Sequence, residues 1–271
     1  MIAIVCDSTV GYSTVEIGRR EILSVVPVNY QIANSLREEL ASDQNGDFLP
    51  EMEKNFPCKT AHPYVESFTR VFRTLTEQGY DVICVTMSAA LSGTFSCAQF
   101  AAGQVDGRIR VVDSETIGPG LHLLVDEAVN MAKAGFPVET VVEQLDILKK
   151  KIGIVFTVDS LPWLQAGGRM SNPRAQAQLN VRPLFELKGK ILFKGNIRGH
   201  NERLGRLLKA LPDNVRRIIV GRCGEQTDIS ELVALLHERY PSVYIHTRVL
   251  GPVQSVHLGP GAFGIAYITK D

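Results

Sequence analysis

VICVTMSAALSGTFSCAQFA, at residues 82–101, passes from mostly apolar residues to small and hydroxyl-bearing ones between Met87 and Ser88. Residues 82–87 are mostly apolar and β-branched, which is typical of a buried strand. Small and hydroxyl-bearing residues follow, and residues 95–102 then have a composition that suits a helix. The stretch therefore predicts a strand, a short polar turn and a helix, which is the repeating pattern of an α/β fold.

The same alternation extends over the first half of the chain. Residues 2–6 and 109–112 are further short β-branched runs. Residues 64–78 and 121–134 carry apolar side chains at helical spacing, and each segment is followed by glycine. We therefore expect an N-terminal parallel sheet with helices on both faces, a three-layer α/β/α domain.

The second half predicts a different architecture. Two short runs within residues 184–193 meet at Lys188-Gly189, as in a β-hairpin. Helices are expected at residues 200–211 and 228–240, and strands at residues 243–249, 253–258 and 264–269. We therefore expect an N-terminal α/β domain at residues 1–152 and a C-terminal α+β domain at residues 153–271 with a mixed or antiparallel sheet.

Composition excludes several classes of protein. Lys plus Arg and Asp plus Glu number 29 each in 271 residues, so no net charge draws the chain to nucleic acid, and we expect at most transient contact with a membrane. The first residues lack the pattern of a signal peptide, which predicts a cytoplasmic protein. The five cysteines form no Cys-x-x-Cys pair, so neither a disulfide framework nor a zinc site is indicated.

Three Asp-Ser pairs follow predicted strands, at residues 7–8, 113–114 and 159–160. Capping of the next helix is the simpler interpretation of each pair taken singly. Taken together they are more informative, because the carboxyl ends of parallel strands form the edge at which open α/β sheets bind ligands.

Leu91-Ser92-Gly93-Thr94 lies at that edge in the predicted fold. Free backbone N–H groups at a helix start favour an anion, and Gly93 would let a ligand approach the backbone closely. An ordinary helix cap is an equally good interpretation of Ser92 and Thr94. The Gly-x-Ser-x-Gly pattern of hydrolases fails here, although pairing of Ser92 with a histidine stays open.

Gly259, Gly261 and Gly264 form a Gly-x-Gly-x-x-Gly pattern near the end of the chain. A predicted strand follows where a dinucleotide site requires a helix, so we reject that interpretation. The glycines instead predict a tight turn just after His257 that could bring backbone against a ligand.

Two further polar residues stand at predicted loops. Arg169 follows the Gly167-Gly168 stop of a short helix, and its guanidinium suits a carboxylate or a phosphate. Thr60 precedes the helix predicted from Tyr64, where it could cap that helix or donate to a ligand. The sequence shows no metal cluster and no acid–base pair of obvious spacing, which favours a binding site over a catalytic one.

Taken together, the motifs resemble those of the DegV family of bacterial lipid-binding proteins. Ala61-His62 and Pro119 depart from the residues usual in that family. The resemblance covers nearly the whole chain and is carried by IVCDST at residues 4–9, Thr60-Ala-His-Pro63, Leu91 to Thr94, VVDS at 111–114, TVDSL and GGRMS between 157 and 171, and HLGPGAFGIAY at 257–267.

The resemblance implies two domains that clasp a long-chain fatty acid between them. It assigns carboxylate binding to Thr60, Ser92 and His257, with Gly93, Thr94, Gly259 and Gly261 in supporting loops. It places Arg169 near the head group or in contact with a partner. Some members of the family present the bound acid to a separate fatty acid kinase subunit, so the expected protein needs no cofactor and has no catalytic activity alone.

Two other functions remain open at this stage. Ser92 activated by His257 would make the protein a serine-dependent hydrolase or acyltransferase acting on a lipid-like substrate. A regulatory module that binds another small anion through Arg169 and Ser92 is the third possibility.

Overall fold

The computed structural model describes residues 1–159, 161–168 and 181–270. Short 3-10 helices lie at Ser8–Val10 and Lys149–Lys151. The strands are β1 (Ile2–Asp7), β2 (Leu23–Val26), β3 (Asn29–Ile32), β4 (Ser35–Glu38), β5 (Lys59–Ala61), β6 (Asp81–Thr86), β7 (Ile109–Asp113), β8 (Ile152–Thr157), β9 (Val181–Lys188), β10 (Lys190–Arg198), β11 (Val215–Arg222), β12 (Tyr244–Val249) and β13 (Phe263–Thr269). The α-helices are α1 (Thr14–Gly18), α2 (Leu49–Lys54), α3 (Val65–Glu77), α4 (Thr94–Ala102), α5 (Pro119–Lys133), α6 (Val138–Leu148), α7 (Leu161–Ala166), α8 (His200–Lys209), α9 (Ser230–Arg239) and α10 (Pro252–Leu258).

The N-terminal sheet has the strand order β2-β1-β6-β7, and every pair in it is parallel. Successive side chains point to opposite faces of a strand, so Ile4 and Cys6 pack toward α5 while Val5 packs toward α3 and α4. Both faces of the sheet are therefore covered by helices. The predicted parallel α/β layer is confirmed.

The C-terminal sheet is mixed, with the order β10-β9-β8-β13-β11-β12. Only the β11–β12 pair is parallel, and the other pairs are antiparallel. Strands β9 and β10 form the predicted hairpin, whose turn residue Gly189 has φ +66°. The predicted C-terminal mixed sheet is confirmed.

Helix α5 lies between the two sheets and is buried over most of its length. It contacts β1 and β6 on one side and β8, β11 and β13 on the other. Its leucines and valines therefore join the two sheets into one core, to which Ile4, Ile154 and Ala266 also belong. Helices α8 and α9 cover the other face of the C-terminal sheet.

A small third sheet, with the order β4-β3-β5, packs with α2 and α10 around a separate apolar cluster. The strand predicted at residues 253–258 is wrong, because these residues form helix α10. Pro252 occupies the first helical position after Gly251, which suits a helix start. A short apolar run is compatible with either element, and periodicity alone does not separate them.

The chain division at residues 152 and 153 remains a prediction. Strand β8, the first strand of the C-terminal sheet along the chain, begins at Ile152.

Among the described residues, we find no helix with both the length and the apolar character needed to cross a bilayer.

Candidate functional site

A cavity lies between the carboxyl edge of the parallel sheet and one face of the mixed sheet. Its volume is about 1010 Å³ when the solvent at its open mouth is included. Among the residues that the structure describes, five side chains bring polar groups to its wall: Thr60, His62, Ser92, Gln254 and His257. The rest of the wall is apolar or glycine: Val28, Ala61, Met87, Leu91, Ile117, Pro119, Ile154, Phe156, Leu164, Leu187, Ile191, Gly221, Leu250, Val253, Leu258, Ala262, Phe263, Gly264 and Ala266.

Thr60 and His257 meet at this cavity from distant parts of the chain. Thr60 lies on β5, where it pairs with Tyr30 of β3, and His257 lies in the last turn of α10. Thr60 Oγ1 and His257 Nε2 are 2.8 Å apart, which is a hydrogen-bond distance. The alternative that Thr60 caps the helix at Tyr64 is wrong, because its backbone belongs to a strand and its hydroxyl contacts the imidazole.

Gly167 holds the other side of the imidazole in place. A Cβ atom at position 167 would lie 2.3 Å from His257 Nδ1, so only glycine allows the end of α7 to approach the ring this closely. Gly259, with φ +74°, is the C-cap of α10, two residues after the histidine. Backbone geometry on both sides therefore fixes the position of His257.

Ser92 reaches the cavity from the turn between β6 and α4. Its backbone N–H donates to Ser88 O at 3.2 Å, and the Thr94 N–H donates to Ser92 Oγ at 3.3 Å. These two N–H groups are already used, so the expected anion site of free backbone donors is reduced, and the Ser92 hydroxyl faces the cavity in its place. Thr94 is fully buried, and its Oγ1 lies 2.9 Å from Ser92 Oγ.

The structure therefore brings three predicted binding residues to one cavity: Thr60, Ser92 and His257. The predicted supporting residues lie behind its wall. Gly93 packs against the His62 ring, Gly259 lies against Trp163, and Gly261 lies against the Asp159 carboxylate. Arg169 lies outside the described residues.

A serine nucleophile is not assembled in this arrangement. Across the described part of the chain, Ser92 Oγ contacts Thr94 and makes no hydrogen bond to a histidine. His257 Nε2 instead lies beside Thr60 Oγ1. The same part of the chain contains no cluster of three or more His, Cys, Asp or Glu side chains that could hold a metal ion.

The Asp-Ser pairs have different roles. Asp7 caps the 3-10 helix at Ser8–Val10, as the capping interpretation predicted. That interpretation is wrong for Asp113, whose Oδ1 accepts hydrogen bonds from the N–H groups of Ala89 and Glu115 and so supports the turn before Ser92. Asp159 forms ion pairs with Arg182 and Arg203. Ser160 lies outside the described residues, so capping by this pair stays a prediction.

Two polar residues of the cavity were missed by sequence reasoning. His62 is exposed at the mouth, with Nδ1 3.0 Å from Pro63 O and 3.3 Å from Cys97 Sγ. The sequence did carry one signal for His62, because Ala61-His62 departs from the residues usual in the DegV family. Gln254 was hidden in a segment predicted as a strand, and no local pattern marks it as a cavity residue.

A buried carboxyl group anchors the helix that carries His257. Ser8 Oγ donates to Glu39 Oε2 at 2.7 Å, and the Val253 N–H donates to Oε1 at 3.0 Å. Burial raises the pKa of Glu39 to about 7. Nothing in the sequence around Glu39 predicted its burial, because it follows the exposed end of β4.

The fold and the cavity define a class: a two-sheet α/β protein whose cavity has an apolar wall and a polar end. The family model described as "Uncharacterised protein, DegV family" matches residues 1–270. The chain belongs to the DegV family.

The relatives agree with that membership. A DegV domain-containing protein of Listeria innocua is 30% identical, with 99% of each chain covered. A stearic-acid-binding protein from Eubacterium ventriosum has a TM-score of 0.87 at 27% identity, with 100% of this chain and 99% of that chain covered. The Streptococcus pneumoniae fatty acid kinase B3 protein, loaded with linoleic acid, covers 100% of both chains with a TM-score of 0.86, and at 22% identity it shows the shared fold.

Proposed function

We propose that this protein binds a long-chain fatty acid, with the carboxylate at Thr60, Ser92 and His257 and the acyl tail along the apolar wall. The contact between Thr60 and His257 at one end of an otherwise apolar cavity carries this proposal. It places donors for a carboxylate beside space for an alkyl chain. The stearic-acid-binding relative supports the same class of ligand.

The polar end brings together side chains of the kind that hydrogen-bond a carboxylate. His257 Nε2 and Thr60 Oγ1 lie 2.8 Å apart, and an imidazole N–H and a hydroxyl are both groups that can donate to a carboxylate. The Ser92 hydroxyl is a further group of this kind. Hydrogen bonds to an ionised carboxylate are stronger than those between neutral groups, so these donors would orient the head group.

The tail would supply most of the affinity. Each buried methylene contributes about 0.8 kcal/mol, so a long chain gains far more from burial than the head group gains from two or three hydrogen bonds. Cavity residues such as Phe156 and Ile154 present no polar group to the chain.

We further propose that the bound acid is presented to a separate kinase subunit, which would phosphorylate its carboxylate. Thr60, Ser92 and His257 are only partly buried, and Ala61 and His62 beside them are exposed, so the head group would be reachable from outside. The kinase B3 protein with the same fold adds support for this role. We propose Arg169 as a contact to the head group or to that partner.

Native mass spectrometry of freshly purified protein, followed by solvent extraction, tests the binding proposal. We expect a mass excess equal to one fatty acid, and retention of that acid should fall in Ser92→Ala and His257→Ala proteins that still fold. Ser96→Ala, an exposed serine on α4, is the matched control. An empty protein that also takes up no added fatty acid would refute the proposal.

Labelling with a serine-directed fluorophosphonate separates binding from catalysis. A binding protein should remain unlabelled at Ser92, since no histidine activates that hydroxyl among the described residues. Stoichiometric modification of Ser92 would favour the hydrolase or acyltransferase instead.

A further inference from the structure

Gln254 places a polar side chain inside the cavity. It lies on α10 and is 8% exposed, and its amide makes no hydrogen bond to any residue that the structure describes. The amide lies against the backbone at Gly118, where a Cβ atom would be 2.1 Å from Nε2. A buried amide carries two donors and an acceptor and is normally hydrogen-bonded, so Gln254 is equipped to bind something that the cavity takes up.

A second, smaller space of mixed polar and apolar lining adjoins the cavity at this amide. Pro119 and Leu250 flank Gln254 in the main cavity, and the same three residues also border a recess of about 200 Å³. The remaining wall of the recess includes Thr9 and Arg248. The two Nη groups of Arg248 are already engaged with Glu16, and Nη1 also donates to Gly11 O. Of the three residues that border both spaces in the described part of the chain, Gln254 is therefore the one with a polar side chain.

The spacing along α10 locates the amide relative to a bound acid. Gln254 and His257 are three residues apart, so their side chains share one face of the helix. A rise of 1.5 Å per residue places Gln254 about 4.5 Å from His257 along the helix axis, toward the buried start of α10. His257 belongs to the end proposed for the carboxylate, so Gln254 would face the first few carbons of the chain.

We propose that Gln254 binds a hydroxyl group close to the carboxylate, so that the cavity prefers 3-hydroxy fatty acids to unsubstituted acids of the same length. A hydroxyl both donates and accepts, and the amide offers both partners. A plain methylene at that place leaves the amide without a partner, which weakens binding. This inference rests on the proposed function, because the position of the carboxylate sets which carbon meets the amide.

Competition between defined acids tests the inference. Delipidated protein is mixed with equal amounts of hexadecanoic acid, 3-hydroxyhexadecanoic acid and 16-hydroxyhexadecanoic acid, and the bound species are counted by native mass spectrometry. We expect the 3-hydroxy acid to bind about three- to tenfold more tightly than the other two, the range that one net hydrogen bond supplies.

Gln254→Met replaces the amide by an apolar side chain of similar shape and should abolish the preference. Gln99→Met, at an exposed site on α4, is the matched control and should retain it. Equal binding of all three acids by the wild-type protein would overturn the role of Gln254 and leave the proposed function intact, and this result does not depend on the variant folding. Failure to bind any of the acids would overturn the proposed function and this inference with it.

Discussion

The carboxylate of Glu39 accepts a hydrogen bond from the backbone N–H of Val253 at 3.0 Å, in the first turn of the helix that ends at His257. Ser8 Oγ donates to the same carboxyl group from the end of β1. Gly251 allows the close approach, since a Cβ there would lie 2.2 Å from Glu39 Oε1. The N-terminal sheet thus positions α10, and with it Gln254 and His257, through one buried side chain.

We expect protein stability to depend on the proton of Glu39. Burial raises the pKa of this carboxyl from 4.5 to about 7, so the folded protein binds the proton more tightly than the unfolded chain does. The resulting stabilisation is complete below pH 4.5 and is lost as the pH rises to about 7. At about 1.4 kcal/mol per pKa unit, the loss is roughly 3 kcal/mol.

Urea unfolding at several pH values checks this expectation. The free energy of unfolding of the wild type, measured relative to Glu39→Gln, should fall across that pH range, because glutamine has no proton to lose. Glu38→Gln, at the exposed neighbouring position, should follow the wild type. Parallel curves for the wild type and Glu39→Gln would contradict the assignment.

Asp126 has the opposite pH dependence. Burial alone would raise the pKa of its carboxyl, but the neighbouring His122 and the hydrogen bonds from Arg217 and Tyr12 lower it to about 2. The stabilisation is therefore present above the ordinary pKa of 3.8 and is lost as the pH falls through about 2. This carboxyl group links α5 to β11, and so connects the two sheets.

Asp126→Asn should lower the free energy of unfolding by about 2–4 kcal/mol at neutral pH, because it leaves Arg217 partly buried without its partner. The difference from the wild type should shrink toward pH 2. Chemical denaturation at neutral and acidic pH measures both effects, and Asp106→Asn on an exposed turn is the control. Equal stability at pH 7 would rule out this role for Asp126.

Gly167→Ala should displace the His257 imidazole. The added Cβ would lie 2.3 Å from Nδ1, a distance at which one of the two must move. If the imidazole orients a carboxylate, the affinity for hexadecanoic acid should fall roughly tenfold while the protein still folds. Isothermal titration calorimetry measures the affinity.

Gly205→Ala on α8 is the control for that substitution, since a Cβ at position 205 has no atom within 4 Å. It should leave the affinity unchanged and stabilise the helix slightly. Unaltered affinity in Gly167→Ala would argue against His257 as a head-group ligand.

Ala266→Leu should shorten the acyl chains that the protein takes up. Ala266 is buried on β13 and lines the cavity, so a larger side chain occupies space proposed for methylenes. Each methylene left outside loses about 0.8 kcal/mol of burial, which favours shorter acids. Extraction of lipid from purified protein and chain-length analysis give the distribution.

Ala98→Leu is the control for overpacking, because Ala98 is equally buried but lies in the cluster between the parallel sheet and α3 and α4. It should reduce stability without changing the chain-length distribution. The same distribution in Ala266→Leu as in the wild type would place the tail elsewhere.

Local patterns predicted much of this fold. The apolar runs at residues 2–6, 82–87 and 109–112 correspond to β1, β6 and β7 within one residue at either end. Such runs succeed because burial on both faces of a parallel sheet leaves a continuous apolar signal. The strand predicted at residues 253–258 was wrong, because a short apolar run is compatible with a strand or a helix. In the folded protein the first turn of this helix donates to Glu39, more than 200 residues away in the chain.

The amino-acid order alone predicted the parallel and mixed sheets and the turn carrying Ser92, because short-range sterics and hydrophobic periodicity act within a few residues. That Thr60, Ser92 and His257 share one site was implied by the resemblance to the DegV family. The meeting of Thr60 with His257, the burial of Glu39 and the exposure of the Gln254 amide to the cavity arise only on folding. These contacts join segments distant in the chain, and their geometry depends on how helices α5 and α10 pack between the sheets.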